Sequence, residues 1–195
     1  MLDTNARKFV TPFIKYGANF FIKLNLNPNH ITLIALITGI LSSICLYFDL
    51  YLLSLLLLWL SGYLDAVDGE VARATNSMSL FGTLMDITFD RFVEICIIVV
   101  CALKYPSYTF YLLLLSCSII LCMVVFLSVG ALSTKSSQKT FYYQPGIMER
   151  SETFILLSSM ILFKNHVGII SIIFTILVII TTIQRFLEAY KILKN

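Results

Sequence analysis

Two stretches of this chain, Ile31 to Phe48 and Phe110 to Leu132, carry no charged residue at all. A helix crosses a hydrocarbon core about 30 Å thick with roughly 20 mostly apolar residues, so runs of this length constrain the fold more than any other feature. In lipid, backbone N–H and C=O groups must be satisfied internally, which favours helices for such runs. Composition agrees: 58% of the 195 residues are hydrophobic and 13% charged, whereas soluble domains run nearer half and a quarter.

The hydropathy pattern divides into six spans, at about 31–48, 51–72, 81–103, 108–133, 152–163 and 166–186. The fifth is short and needs help from residues near Met148 to cross. Pro28-Asn29 predicts a break followed by an asparagine N-cap, and Tyr105-Pro106 separates the third span from the fourth. Before them, Phe9, Phe13, Ile14, Tyr16, Phe20, Phe21 and Leu24 recur at helical spacing among Arg7, Lys8, Lys15 and Lys23. That pattern predicts an amphipathic helix on the membrane surface, packed under the bundle, or both. Residues 1–26 lack the pattern of a secretory leader. The expected fold is all-α: one membrane domain over 1–195, with a juxtamembrane helix (1–26) and a six-helix transmembrane bundle (27–195). Five cysteines, Cys45, Cys96, Cys101, Cys117 and Cys122, lie in apolar runs and are expected to be small buried hydrophobes.

Charge placement orients the chain. With the N-terminus inside, eleven lysines and arginines fall on the cytoplasmic side, and only Lys104 and Lys164 fall outside. This asymmetry predicts cytoplasmic termini in a multi-pass protein of the cell membrane. The net charge of +3 is modest, and no nucleic-acid partner is expected.

The second and third spans hold four aspartates: Asp65, Asp68, Asp86 and Asp90. Each ionised aspartate at a helix centre costs roughly 2.5–3.5 kcal/mol on insertion scales, so four approach ~10–14 kcal/mol. A leucine returns only about 0.3–0.6 kcal/mol. Something must offset the difference. Asp65 and Asp68 are three apart and Asp86 and Asp90 four apart, so each pair shares a helix face. The loop Ala74 to Leu80 makes the two helices antiparallel neighbours. Asp65 then lies roughly 21 Å along its helix from Tyr51, and Asp86 and Asp90 roughly 8 and 14 Å in from the same inner surface. Four carboxylates converge in a pocket open to the cytoplasm, an oxygen-only setting suited to Mg²⁺ with substrate phosphates. Gly69, Ala72 and Gly82 remove bulk beside them; small residues also serve ordinary helix packing in membranes.

The stretch Asp65 to Asp90 resembles the signature of the CDP-alcohol phosphotransferase family, D-x2-D-G-x2-A-R-x8-G-x3-D-x3-D. It matches at Asp65, Asp68, Gly69, Ala72, Arg73, Gly82, Asp86 and Asp90. The resemblance implies transfer of a phosphatidyl-type group from a CDP-diacylglycerol-like lipid to the hydroxyl of a small polar alcohol, with release of CMP. It implies two divalent cations, Mg²⁺ or Mn²⁺, with Asp65, Asp68 and Asp86 as ligands and Asp90 near the second metal as general base. It also implies a homodimer among membrane lipids. Asn29 and Thr32 resemble the family's P-N-x-x-T pattern and, with Asp65, Asp68, Gly69, Ala72, Arg73 and Gly82, form the implied nucleotide site. A helix cap explains Asn29 equally well. Arg73 either contacts nucleotide phosphates or pairs with an aspartate. Arg91 and Glu94, near the aspartate face, either support the site or pair with each other.

For the acceptor, Lys135, Lys139 and Arg150 are the candidates, since basic residues suit a phosphorylated alcohol. Inside-loop lysines are also expected from topology alone. Gly146-Ile-Met-Glu149-Arg150-Ser-Glu152 resembles the G-x-x-E-R-x-E segment of phosphatidylinositol-phosphate synthases and their archaeal relatives. Phosphatidylglycerophosphate, cardiolipin and phosphatidylserine synthases are the alternatives within the family. An ion-coupled transporter would also hold intramembrane carboxylates, but with repeats or interrupted helices in both halves.

Overall fold

The computed structural model of the chain describes residues 2–132 and 146–194. The described residues form helices α1 (Leu2–Lys23), α2 (Pro28–Tyr47), α3 (Tyr51–Ala74), α4 (Leu80–Lys104), α5 (Thr109–Leu132), α6 (Arg150–Leu162) and α7 (Val167–Leu193), with short 3-10 turns at Pro106–Tyr108 and Lys164–His166. No strand occurs among them. Pro28–Tyr47, Tyr51–Ala74, Pro106–Leu132 and Lys164–Leu193 are long and apolar enough to cross a membrane. α4 is long enough too, but Asp86, Asp90, Arg91 and Glu94 interrupt its apolar run. The helices divide into two compact units, Leu2–Lys104 and Tyr105–Asn195.

In the first unit, α2 and α3 pair through small and hydroxyl residues. On α3, Ser54, Leu58, Ser61, Asp65 and Asp68 form one buried stripe at three- and four-residue spacing. The facing stripe of α2 is Thr32, Ala35, Gly39, Ser42 and Leu46. Ser42 Oγ donates to the Ser54 carbonyl at 2.7 Å, and Ser61 Oγ donates to the Ala35 carbonyl at 2.7 Å. These two bonds cross the seam in opposite directions and fix its register, the role polar side chains commonly take between membrane helices. Asp65 and Asp68 therefore lie on the stripe that packs, not on an exposed face.

The connections follow residue chemistry. Asn25, Asp49 and Asn76 adopt positive φ of 53°, 62° and 52°, a conformation that asparagine and aspartate tolerate best after glycine. Each ends a helix with the following N–H reaching back five residues: Leu26 to Phe21, Leu50 to Cys45, and Ser77 to Ala72. These are Schellman-type closures. At the far end, Lys104 Nζ donates to the Tyr47 carbonyl and to Asp49 Oδ1, at 2.9 and 2.7 Å. α1 packs against the bundle along one face and leaves its other face exposed. Ile14 and Phe21 pack against Ala18, Ile31, Leu64 and Val67, while Phe13, Tyr16, Phe20 and Leu24 are exposed.

Two expectations need correction. The N-cap of α2 is Asn27, with φ −68° and ψ 143°; Pro28 opens the helix and Asn29 lies inside it. Proline's fixed φ and missing N–H suit the first helical position, which moves the cap one residue upstream of the proline. The fifth span does not gain helix near Met148, because α6 begins only at Arg150 and has 13 residues. Instead, Met148 N donates to Thr181 Oγ1 of α7 at 2.9 Å. Gly146 allows that docking, since a Cβ there would lie 2.4 Å from Thr181 Cγ2. α5 and α7 pack along the length of this second unit. The cysteines follow the expectation of burial only in part: Cys101 and Cys122 are buried and Cys45 and Cys96 partly so, but Cys117 is exposed on the outer face of α5.

Candidate functional site

Asp65 and Asp68 lie near the end of α3, and Asp86 near the start of α4. α3 and α4 are joined by the five residues Thr75 to Ser79. One carboxylate oxygen from each of the three lies within 4.8 Å of the others. Asp65 and Asp68 are buried and Asp86 is partly exposed, so the cluster opens on the α4 side. Three like charges this close repel strongly unless a proton or cation stands between them. The donor set is oxygen only, which fits a hard divalent cation and not a thiolate- or imidazole-loving one. Asp90 belongs to the same constellation: with Asp65, Thr32, Ala35, Leu36, Ser61, Phe89 and Val93 it lines a small notch between α2, α3 and α4.

The expected nucleotide residues lie on α2, α3 and α4. Thr32 is buried, its hydroxyl donating to the Pro28 carbonyl at 3.0 Å, and it lines the notch beside both aspartates. Asn29, no longer a cap, faces the start of α4: a Cβ on Gly82 would lie 3.3 Å from Asn29 Oδ1. Gly82 N donates to Ser79 Oγ at 2.9 Å. Gly82 thus leaves room where the two helix starts approach. At Gly69, by contrast, a Cβ would meet only the head of Arg73, at 3.4 Å. Gly69 and Ala72 are both partly exposed on the last turns of α3. Arg73 pairs with Glu70, Nη2 to Oε2 at 2.8 Å, and not with an aspartate. That pair is largely exposed and worth under ~1 kcal/mol, so it holds the guanidinium weakly. Arg91 and Glu94 do pair with each other, at 2.5 Å, with Glu94 buried.

Lys135 and Lys139 lie outside the described residues. Arg150 opens α6 in the second unit, its guanidinium 5.7 Å above the Phe154 ring. The same unit holds a cation whose burial the charge pattern does not reveal. Arg185 is buried on α7, 4.8 Å over the Phe126 ring, with Nη1 3.4 Å from Cys122 Sγ. A buried arginine in an apolar helix is costly and marks a functional position by default. The signal was available: Thr181 and Arg185 are one turn apart on the same face, and with Thr182 and Gln184 they interrupt an otherwise apolar run.

Comparison with known proteins agrees with this geometry. Residues 25–184 match the family model described as CDP-alcohol phosphatidyltransferase. Archaetidylinositol phosphate synthase of Pyrococcus horikoshii is 34% identical over 98% of this chain and 97% of its own length. The CDP-diacylglycerol–inositol 3-phosphatidyltransferase of Candida albicans is 34% identical over 58% of this chain and 50% of its own. Two crystal structures of Mycobacterium tuberculosis phosphatidylinositol phosphate synthase share the fold at a TM-score of 0.73 and 15% identity, covering 89% of this chain and 91% and 87% of theirs. One contains CDP-diacylglycerol, the other manganese and citrate.

Proposed function

Because the chain belongs to the CDP-alcohol phosphatidyltransferase family and transfers a phosphatidyl-type group from a CDP-linked lipid to an alcohol, we propose that its acceptor is a phosphorylated polyol of the inositol phosphate class. The observation that carries this is the likeness to archaetidylinositol phosphate synthase along nearly the full length of both chains. The mycobacterial neighbour, named for the same product class, supports the fold alone. Arg150 and buried Arg185, with Lys135 and Lys139, supply the cationic groups that a phosphate-bearing acceptor requires.

In this reading Asp65, Asp68 and Asp86 hold a pair of divalent cations, Mg²⁺ or Mn²⁺, with Asp90 beside the second. The cations, when bound, neutralise the pyrophosphate and the charge that develops on departing CMP. The chain's own residues do the rest. Asn29, Thr32, Gly69, Ala72, Arg73 and Gly82 seat the cytidine nucleotide along α2, α3 and α4. Arg73 leaves Glu70 for a phosphate oxygen. Asp90 accepts the proton of the acceptor hydroxyl as its oxygen bonds to the lipid-side phosphorus. The bridging P–O bond breaks, and CMP leaves with its electron pair.

Six helices, α2 to α7, span the membrane, with α1 at its surface and both termini and the site on the cytoplasmic side. The α4 charges are tolerated because they serve the site. Residues 1–195 act as one domain, and two chains associate. The test is a panel: purified protein with labelled CDP-diacylglycerol or its diether analogue, Mn²⁺, and inositol phosphate, inositol, glycerol phosphate or serine. CMP release with inositol phosphate at least ten times that with inositol is expected. Preference for glycerol phosphate or serine would overturn the acceptor assignment.

A further inference from the structure

The carboxylate cluster rests on a layer of contacts one helical turn deeper, where α2, α3 and α4 meet. Gly39 lies four residues beyond Ala35 on α2, Ser61 four before Asp65 on α3, and Val93 three beyond Asp90 on α4. A methyl group on Gly39 would sit 2.3 Å from Val93 Cγ2, 2.8 Å from Val93 Cγ1 and 3.0 Å from Ser61 Oγ. Ordinary van der Waals contact begins at 3.4 Å. α2 and α4 therefore approach about 1 Å more closely than any side chain at position 39 would allow. Neither neighbour yields easily. Val93 is buried, and a β-branched residue in a helix has essentially one χ1 rotamer. Ser61 Oγ is committed to the Ala35 carbonyl at 2.7 Å.

We propose that Gly39 is a positioning residue for the transfer reaction: its missing side chain lets α4 close onto α2 and α3, and that closure sets the distance from Asp86 and Asp90 to Asp65 and Asp68. The inference rests on the reading of these carboxylates as the metal site. The connection is mechanical. Val93 is three residues from Asp90 on a continuous helix, so pushing Val93 outward carries the α4 aspartates away from α3. Gly39 touches no substrate; it acts through the separation of helices.

The test uses the full chain in detergent, with direct Mn²⁺ binding followed by electron paramagnetic resonance beside CMP release. A displacement of about 1 Å costs up to about 100-fold in rate. Gly39→Ala should therefore weaken Mn²⁺ binding and lower kcat by about 10- to 100-fold, with donor KM changing less. Gly39→Ala with Val93→Ala, which removes both clashing methyl groups, should recover about tenfold of each. A merely structural glycine would not give that paired recovery in metal affinity. Wild-type Mn²⁺ affinity in Gly39→Ala overturns the proposal, as does a folded double variant as impaired as the single one. Should Gly39→Ala not fold, Val93→Ile adds one carbon to the same contact and should weaken Mn²⁺ several-fold; unchanged affinity overturns it. Asp86→Asn is the separate control. Wild-type Mn²⁺ affinity there would count against the metal-site reading itself. With affinity lost in that control, normal binding in Gly39→Ala counts against Gly39 alone.

Discussion

Neutralising Asp86 should stabilise the chain in chelator and cost it its response to cation. The ligand oxygens of Asp65, Asp68 and Asp86 lie within 4.8 Å of one another. At an effective dielectric constant of about 20, two unit charges at that distance repel by about 3.5 kcal/mol. Asp86 takes part in two of the three pairs, so the repulsion its neutralisation relieves is on the order of 7 kcal/mol before screening by solvent. Solvent around partly exposed Asp86 screens most of it, which leaves an expected gain of about 1–3 kcal/mol for Asp86→Asn in EDTA. For a chain of this size each kcal/mol moves Tm by about 2–4 °C. In Mn²⁺ at a hundred times its Kd, the wild type gains about 2.7 kcal/mol by mass action, and the variant little. The two curves should cross. Thermal unfolding followed through thiol labelling of buried Cys101 and Cys122 reads both arms. A variant less stable than wild type in EDTA, or one with an equal response to Mn²⁺, would refute the argument.

Two further substitutions separate packing from chemistry. Thr181→Val leaves the Met148 N–H without its acceptor in a buried place, which costs about 1–3 kcal/mol; unfolding curves should show that loss, and acceptor KM should rise while donor KM holds. Arg73→Ala breaks only an exposed pair with Glu70, so stability should move by less than about 0.5 kcal/mol; a several-fold rise in donor KM is expected, and an unchanged one rejects its nucleotide role.

Much of the site could be read from residue spacing alone, because it is local. Asp65 and Asp68, like Asp86 and Asp90, share a face by helical period, and the five-residue turn brings the start of α4 back to the end of α3; along their lengths, however, α3 and α4 pack on α2 and not, as the loop alone had suggested, on each other. The break before α5 was legible at Tyr105-Pro106. What stayed hidden depends on approach between residues distant in the chain. Nothing near Gly39 announces Val93, 54 positions on, and nothing near Gly146 announces Thr181. The burial of Arg185 was hidden for a related reason: charge placement sorts cations by the side of the membrane they flank and says nothing of which ones turn inward, as this one does between Phe126 and Cys122. Asn29 was assigned as a cap because asparagine after proline looks like one; the proline itself took the first helical position.

Asp90 carries the central claim, since a carboxylate that only bound metal would be one ligand among several. Asp90→Asn keeps the shape of the side chain and removes its basicity. With the purified protein, labelled CDP-lipid and acceptor, the variant should retain donor binding and most of its Mn²⁺ affinity while CMP release falls by about 10²–10⁴-fold. CMP release at the wild-type rate from that variant would contradict the account.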